Sequence, residues 1–286
     1  MEPQVEAFFD EDTFTFSYVL VDPESNAAAV VDPVLDYDPA AGRTSTVSVD
    51  RIVDYVGRNG LELQWILETH VHADHLSAAR YLKQRLGGRI GIGNRVAAVQ
   101  KVFGDLFNAE PEFCRDGSQF DHLFEDGERA ALGGLSFEVM HTPGHTPACI
   151  SYVFDGAVFV GDTLFMPDYG TARSDFPGGD AATLYRSIQR ILALPDQTAV
   201  YLCHDYLSGG RREYQHRTTV AEERNNIHLK DNVTEADFVR FREQRDAELA
   251  APRLLLPSVQ FNMRGAELPP AESNGTHYFK IPVRPA

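Results

Sequence analysis

Residues 69–75 read Thr-His-Val-His-Ala-Asp-His and bring three imidazoles and one carboxylate into a single short turn. The turn follows an apolar run at 64–68 and precedes a pattern typical of a helix over 74–86. Neutral histidines crowded in this way compete for the same water and repel one another once protonated, whereas a metal ion can use their lone pairs. The stretch therefore predicts a metal centre, and a solvated polar loop is the weaker interpretation.

Three later segments also place metal-ligating side chains directly after apolar strands. They are 141–146 (His-Thr-Pro-Gly-His-Thr), 161–163 (Gly-Asp-Thr) and 203–205 (Cys-His-Asp). In open α/β proteins, functional side chains collect at the carboxyl ends of the strands. Each segment alone could equally be a capped turn. Their occurrence together with 69–75, in this order, favours one shared metal site.

The charge balance narrows the possible partners. The 286 residues include 26 Lys and Arg against 42 Asp and Glu, a formal net charge of −16. A surface of this sign repels nucleic acids and anionic membranes, so we expect neither as a partner.

No apolar run is long enough for a transmembrane helix. An acidic start without a signal-peptide pattern, and three cysteines without CxxC spacing, favour a cytoplasmic location.

The order of elements predicts one α/β domain over residues 1–286. Runs typical of strands occur at 14–21, 27–31, 64–68, 130–132, 136–140, 150–154, 157–160 and 199–202, and helical spacing occurs at 48–58, 74–86 and 183–194. From 213 to 249 the pattern is mostly helical, with Thr234 as a candidate N-cap. A proline-rich tail without clear periodicity covers 252–286.

Taken together, the His-x-His-x-Asp-His turn, the Pro-Gly-His-Thr turn, the Gly-Asp-Thr turn and the late His204 resemble the signature of the metallo-β-lactamase superfamily. The resemblance covers most of residues 14–206. It implies an αββα sandwich, in which two mixed β-sheets face each other, helices lie outside and the metal sits in a cleft at the strand ends. Asp32 matches the early acidic residue that braces the site in this fold without binding the metal.

Of two branches of the superfamily that handle glutathione thioesters or persulfides, the chain resembles the persulfide dioxygenases of the ethylmalonic-encephalopathy-protein type, in their bacterial subgroup, more than glyoxalase II. Residues 204–206 read His-Asp-Tyr, where glyoxalase II typically has His-Glu-Tyr. The stretch 171–176 resembles the dioxygenase Gly-Arg-Thr-Asp-Phe loop, and 262–264 matches a late Asn-Met-Arg segment. Ala172 and Ser174 depart from the Gly and Thr of that loop, and alanine permits fewer backbone conformations than glycine.

This resemblance implies iron ligands at His70, His145 and Asp162, with one Fe(II) per subunit. Two imidazoles and one carboxylate suit non-haem Fe(II) and leave coordination positions open. The side chains that would orient these ligands and water by hydrogen bonds are His72, Asp74, His75 and His204.

The reaction implied for such an enzyme is oxidation of the outer sulfur of glutathione persulfide by O2 to sulfite, with release of glutathione. Because this substrate is an anion and the protein is acidic, a local basic pocket is needed. Arg173 is the foremost candidate, and the further candidate substrate-binding residues are Tyr206, Arg211, Arg212, Arg217 and Arg264. Enzymes resembling this chain are often homodimers, so we also expect a homodimer.

Three alternatives stay open at this stage. The histidine set also permits a binuclear hydrolase of glutathione thioesters, in which His72 joins the first metal and Asp74, His75 and His204 hold a second. A metal-dependent persulfide sensor without turnover is less favoured, because a binder gains little from open coordination positions. A lactonase of acyl-homoserine lactones is weaker still, since it has no use for clustered arginines.

Overall fold

Two six-stranded β-sheets, a small three-stranded sheet and seven helices make up the fold; the computed structural model describes residues 2–283. In chain order the strands are β1 (Gln4–Asp10), β2 (Thr15–Val21), β3 (Ala27–Val31), β4 (Val34–Asp38), β5 (Arg43–Ser45), β6 (Glu62–Leu67), β7 (Leu76–Ser77), β8 (Arg89–Gly93), β9 (His122–Phe124), β10 (Arg129–Leu132), β11 (Leu135–His141), β12 (Ile150–Phe154), β13 (Ala157–Phe159), β14 (Ala199–Tyr201) and β15 (Arg217–Thr219). The helices are α1 (Val47–Arg58), α2 (Ala79–Leu86), α3 (Val96–Leu106), α4 (Ala181–Leu192), α5 (Val220–Glu223), α6 (Glu235–Asp246) and α7 (Leu255–Asn262).

Both large sheets are mixed. The first has the order β1-β2-β3-β6-β8-β9, antiparallel over its first three strands and parallel from β3 onward. The second has the order β10-β11-β12-β13-β14-β15 and is antiparallel except between β13 and β14. A small sheet, β5-β4-β7, lies beside them.

The sheets pack face to face because strand residues alternate between two sides. In β2, Tyr18 points toward the second sheet and meets Phe159, with ring centroids 5.4 Å apart. Val19, the next residue, faces the other way and joins a cluster that contains Ile52 of α1. On the outer side of the second sheet, Val158 lies in one cluster with residues of α4 and α6. The αββα sandwich predicted from the sequence is confirmed.

The N-termini of α6 and α4 are capped by the side chains that precede them. Thr234 caps α6 by accepting a hydrogen bond from the Asp237 N–H at 3.2 Å, as the sequence predicts. Asp180 caps α4 in the same way through the Thr183 N–H at 2.7 Å. Within the described part of the chain, none of the helices has both the length and the apolar character that crossing a bilayer requires.

Three expectations about local structure are wrong. The helix expected at 74–86 begins only at Ala79, because the preceding Leu76–Ser77 pairs with β4 as strand β7. The region 213–249 contains strand β15, the short helix α5 and a loop before α6 begins. The tail at 252–286, expected to be irregular, contains α7, whose apolar residues pack in the same core cluster as Val19 and Ile52. The last three residues of this tail lie outside the described ones.

Glu223 is fully buried in α5 and offers a test of the packing around it. Its Oε2 accepts a hydrogen bond from Asn226 at 2.9 Å, and burial raises the pKa of its carboxyl group to about 8. The unfolded chain releases this proton near the ordinary glutamate pKa of about 4.3. The free energy of unfolding should therefore fall as the pH rises from that value through 8.

We expect Glu223→Gln to remove this fall, since glutamine stays neutral and can still accept from Asn226. Thermal and denaturant unfolding between pH 5 and pH 9 measure the effect. The exposed Glu243→Gln on α6 is the matched control and should keep the wild-type slope. An unchanged pH dependence in the Glu223 variant would contradict the interpretation.

Candidate metal centre

Four strands deliver ligand-type side chains to one place. His70 follows β6, His145 follows β11 at the Pro-Gly-His turn, Asp162 follows β13, and His204 follows β14. All four side chains are buried. The structure thus brings together the four segments that the sequence singled out, because each strand ends at the same edge of its sheet and the two sheets face each other.

Histidines of the first turn have one ring nitrogen occupied by a hydrogen bond. The Thr69 hydroxyl donates to Asp32 Oδ2 at 2.8 Å and therefore accepts from Nδ1 of His70, 3.0 Å away. His72 donates from Nε2 to Asp32 Oδ1 at 2.9 Å. These bonds leave a lone pair on Nε2 of His70 and on Nδ1 of His72, and neither atom has a hydrogen-bond partner among the described residues. Outer hydrogen bonds of this kind fix the tautomer that a metal requires.

His145 is oriented by a loop that α6 holds in place. Its Nδ1 donates to the carbonyl oxygen of Arg173 at 2.8 Å, which leaves the lone pair on Nε2 facing the other ligands. The next residue, Ser174, donates its N–H to Asp246 Oδ2 at 2.8 Å. Asp246 is in turn paired with the buried Arg242 at 2.8 Å. A buried ion pair on a late helix therefore supports one ligand of the centre.

The donor set of His70, His145 and Asp162 fits a metal ion. One ligand atom from each lies within 4.8 Å of the others. Asp162 Oδ2 is 3.9 Å from Nε2 of His70 and 3.6 Å from Nε2 of His145. Burial would raise the pKa of Asp162, but the surrounding histidines, His204 foremost, hold it well below its usual value. An ionised carboxylate facing imidazole lone pairs in a buried site is the environment of a metal.

A second group of donors lies beside the first. His72, Asp74 and His75 have ligand atoms within 4.8 Å of one another. His204 Nε2 lies 3.2 Å from both Asp74 Oδ2 and Asp162 Oδ1. Burial lowers the pKa of His204, yet these two carboxylates raise it to about 9. The two oxygens of Asp162 thus face different groups, and the side chains present have the donors for a second metal.

Sequence reasoning missed two residues that hold the histidine-rich turn. The side chain of Asn262 donates to the carbonyl oxygens of His72 at 2.9 Å and His75 at 2.8 Å, and accepts from the Ser77 N–H at 2.8 Å. Glu68 is buried, accepts from the Ser77 hydroxyl and lies 3.3 Å from His72 Nε2. The Asn-Met-Arg segment was a signal for Asn262, but its contact across 190 residues is visible only in the structure.

A cavity of about 350 Å³ opens onto the metal ligands. His145 and Asp162 lie in its lining, together with the sequence-predicted Arg173 and Tyr206. Two further sets of side chains in the lining bear on its chemistry. The apolar and aromatic set includes Phe14, Phe165, Tyr169, Phe176 and Leu249, and the arginine set is Arg242, Arg245 and Arg253. Such a mixture is typical of a pocket for a small organic anion.

The other arginines predicted as substrate-binding do not line this cavity: Arg211, Arg212, Arg217 and Arg264. Arg211 pairs with Asp168 at 2.7 Å and with Asp205, and it locks the loop after β14. Arg264 binds Glu110 at 2.8 Å beside a different cavity. The sequence did not show these pairings, because Asp168 lies far from Arg211, and Glu110 far from Arg264, along the chain.

A model of the metallo-beta-lactamase superfamily matches residues 10–204 of the chain. A probable metallo-hydrolase of Burkholderia pseudomallei is 58% identical over 98% of each chain. Glyoxylase B2 of Dictyostelium discoideum is 49% identical over 98% of this chain and 97% of its own length. The mitochondrial persulfide dioxygenase ETHE1 of Homo sapiens is 30% identical over 92% of this chain and 89% of its own.

Among solved structures, the crystal structure of ETHE1 from Myxococcus xanthus resembles this chain with a TM-score of 0.73. The sequence identity is 29%, and the match covers 92% of this chain and all of the other. This share is larger than the part of the chain that the superfamily model matches.

The support of His145 by α6 can be tested by separating stability from metal affinity. Asp246→Leu leaves Arg242 as an unpaired buried charge, which should cost about 3–5 kcal/mol of stability. It also removes the acceptor of the Ser174 N–H, and we expect metal affinity to fall about 10- to 100-fold. Unfolding curves and competition against a chelator measure the two effects.

The double variant Arg242→Met with Asp246→Leu keeps the two effects apart. Removing both charges should restore most of the stability, because apolar side chains can replace a buried ion pair. Metal affinity should stay low, since Ser174 still lacks its acceptor. Recovery of wild-type metal affinity in the double variant would show that α6 does not position His145.

Proposed function

The chain belongs to the metallo-β-lactamase superfamily, and on that premise we propose that it is a persulfide dioxygenase with one Fe(II) per subunit. The observation that carries the proposal is the group of His70, His145 and Asp162, whose imidazoles are oriented by outer hydrogen bonds with their lone pairs facing one carboxylate. The relatives named as persulfide dioxygenases and the structural likeness to ETHE1 support the same activity.

The proposed reaction balances without a further co-substrate. Glutathione persulfide, O2 and water give glutathione and sulfite, and two protons are released. The sulfur–sulfur bond breaks, two oxygen atoms of sulfite come from O2 and the third comes from water. O2 accepts the four electrons that the persulfide loses.

Different residues of this chain would hold the metal, limit the access of water and contact the substrate. His70, His145 and Asp162 would hold the metal, and non-haem Fe(II) with such ligands supplies open positions for sulfur and O2. Phe165 and Phe176 line the cavity beside these ligands and limit the access of water. Tyr206 stacks on His204 with ring centroids 5.8 Å apart and borders the same cavity, where its hydroxyl can contact the substrate.

A hydrolase of glutathione thioesters with two metals is the second candidate. The group formed by His72, Asp74 and His75, with His204 beside it, favours this alternative because it could hold the second metal. Two relatives bear the names metallo-hydrolase and glyoxylase, which point to hydrolysis. In that case water would be the nucleophile and no O2 would be consumed.

We also propose a cellular location and an oligomeric state for the protein. Three free cysteines, two of them buried, suit a reducing compartment, and we propose a cytoplasmic location on that ground. The resemblance to persulfide dioxygenases supports a homodimer.

Oxygen uptake by anaerobically iron-loaded protein tests the reaction directly. With glutathione persulfide, we expect O2 consumption and sulfite formation in a one-to-one ratio, and His145→Ala should abolish both. S-lactoylglutathione is the control substrate and should not be hydrolysed. Thioester hydrolysis without O2 uptake, by protein shown to hold iron, would favour the hydrolase.

Metal stoichiometry separates one metal from two. If one metal is bound, His75→Ala should keep one equivalent of iron per chain while His145→Ala loses it, because only His145 belongs to the ligand triad. Elemental analysis of protein at matched concentration measures the content, and circular dichroism verifies the fold. A fall from two equivalents to one in His75→Ala would instead indicate a binuclear centre.

A further inference from the structure

Two arginines in the cavity lining have no carboxylate partner among residues 2–283. Arg245 lies on α6 and Arg253 lies just before α7, and both side chains are exposed. Within residues 2–283 no carboxylate lies within ion-pairing distance of either guanidinium, whereas Arg173 is paired with Asp175 at 2.6 Å. Their charges are therefore available to a ligand in the cavity.

The other two arginines of the lining have structural roles. Arg173 also donates to the Ala250 carbonyl oxygen at 2.7 Å, so its guanidinium holds a loop as well as Asp175. Arg242 is 1% exposed and its charge is neutralised by Asp246. An anion entering the cavity thus meets free positive charge at Arg245 and Arg253.

The charge of Arg245 affects the pKa of two neighbouring groups, Tyr169 and His228. Burial raises the pKa of Tyr169, and the nearby guanidinium of Arg245 acts in the opposite direction. Burial and the charges of Arg242 and Arg245 together lower the pKa of His228 to about 3. On a protein with a net charge of −16, two arginines without a carboxylate partner in one cavity lining favour an anionic ligand locally.

Tyr169, Phe176 and Leu249 share the cavity lining with these arginines. The wall therefore combines apolar surface with two guanidinium groups that can bind carboxylates in the bidentate manner. Asp12 at the same cavity carries the opposite charge and can face an ammonium group. A zwitterionic peptide with an excess of carboxylates matches this pattern, and glutathione has two carboxylates and one ammonium group.

We propose that Arg245 and Arg253 bind the carboxylates of the thiol carrier and select small carriers with two free carboxylates over carriers without them, an inference that rests on the function proposed above. The two arginines determine specificity. His145 and Asp162 line the same cavity, and the metal that they would hold would meet the sulfur end of the carrier.

Calorimetric titration of the metal-loaded, anaerobic protein with glutathione and with glutathione diethyl ester tests this assignment without turnover. The wild type should bind the diacid at least about tenfold more tightly than the diester, the ratio expected for one charge-assisted contact. Arg245→Gln with Arg253→Gln should remove this preference, and lysine at both positions should keep part of it. Arg43→Gln, an exposed arginine on β5, is the matched control and should bind as the wild type does.

Equal binding of the diacid by the double glutamine variant and the wild type would overturn the assignment, as would the absence of any preference, or of any binding, in the wild type. In oxygen-uptake assays the same variant should raise KM for glutathione persulfide with kcat nearly unchanged. A preserved binding pattern without O2 uptake would refute the dioxygenase alone. O2 uptake with unaltered binding in the variant would refute the role of the arginines alone.

Discussion

The buried carboxylate of Asp32 is the constraint on which the metal centre depends. It accepts hydrogen bonds from the Thr69 N–H and the Thr69 hydroxyl, both at 2.8 Å, and from His72 Nε2 at 2.9 Å. Burial would raise its pKa, but the neighbouring His72 holds it below its usual value, so the group is an anion. Through Thr69 the same anion orients His70. One carboxylate therefore sets the tautomers of two histidines at once.

This arrangement has a conformational cost. Asp32 has φ of +46°, a left-handed conformation that costs a residue with a side chain about 1–2 kcal/mol. The turn that follows β3 has to adopt it for the carboxylate to reach Thr69 and His72. Strain of this kind persists where several hydrogen bonds over-determine the residue, and Asp32 is held by three.

Local chemistry explains which parts of the protein could be predicted from the sequence. The ligand turns were predictable because each is a short motif at a strand end, and the sandwich followed from the resemblance that these motifs carry. The arginines were not, since Arg211 and Arg264 are neutralised by carboxylates whose positions depend on the fold. The helix expected to begin at 74 failed for a related reason: strand pairing with β4 overrides the helical spacing there.

Asn262, the last residue of α7, holds the histidine turn by donating hydrogen bonds to the carbonyl oxygens of His72 and His75. A ribosome releases the chain from its amino end, so every metal ligand is synthesised well before this clamp. While it emerges, the nascent protein therefore carries a full set of donors in a turn that still lacks the two hydrogen bonds from Asn262. The hydrogen bonds that Asn262 donates to this turn form only after α7 has been synthesised and has docked against it.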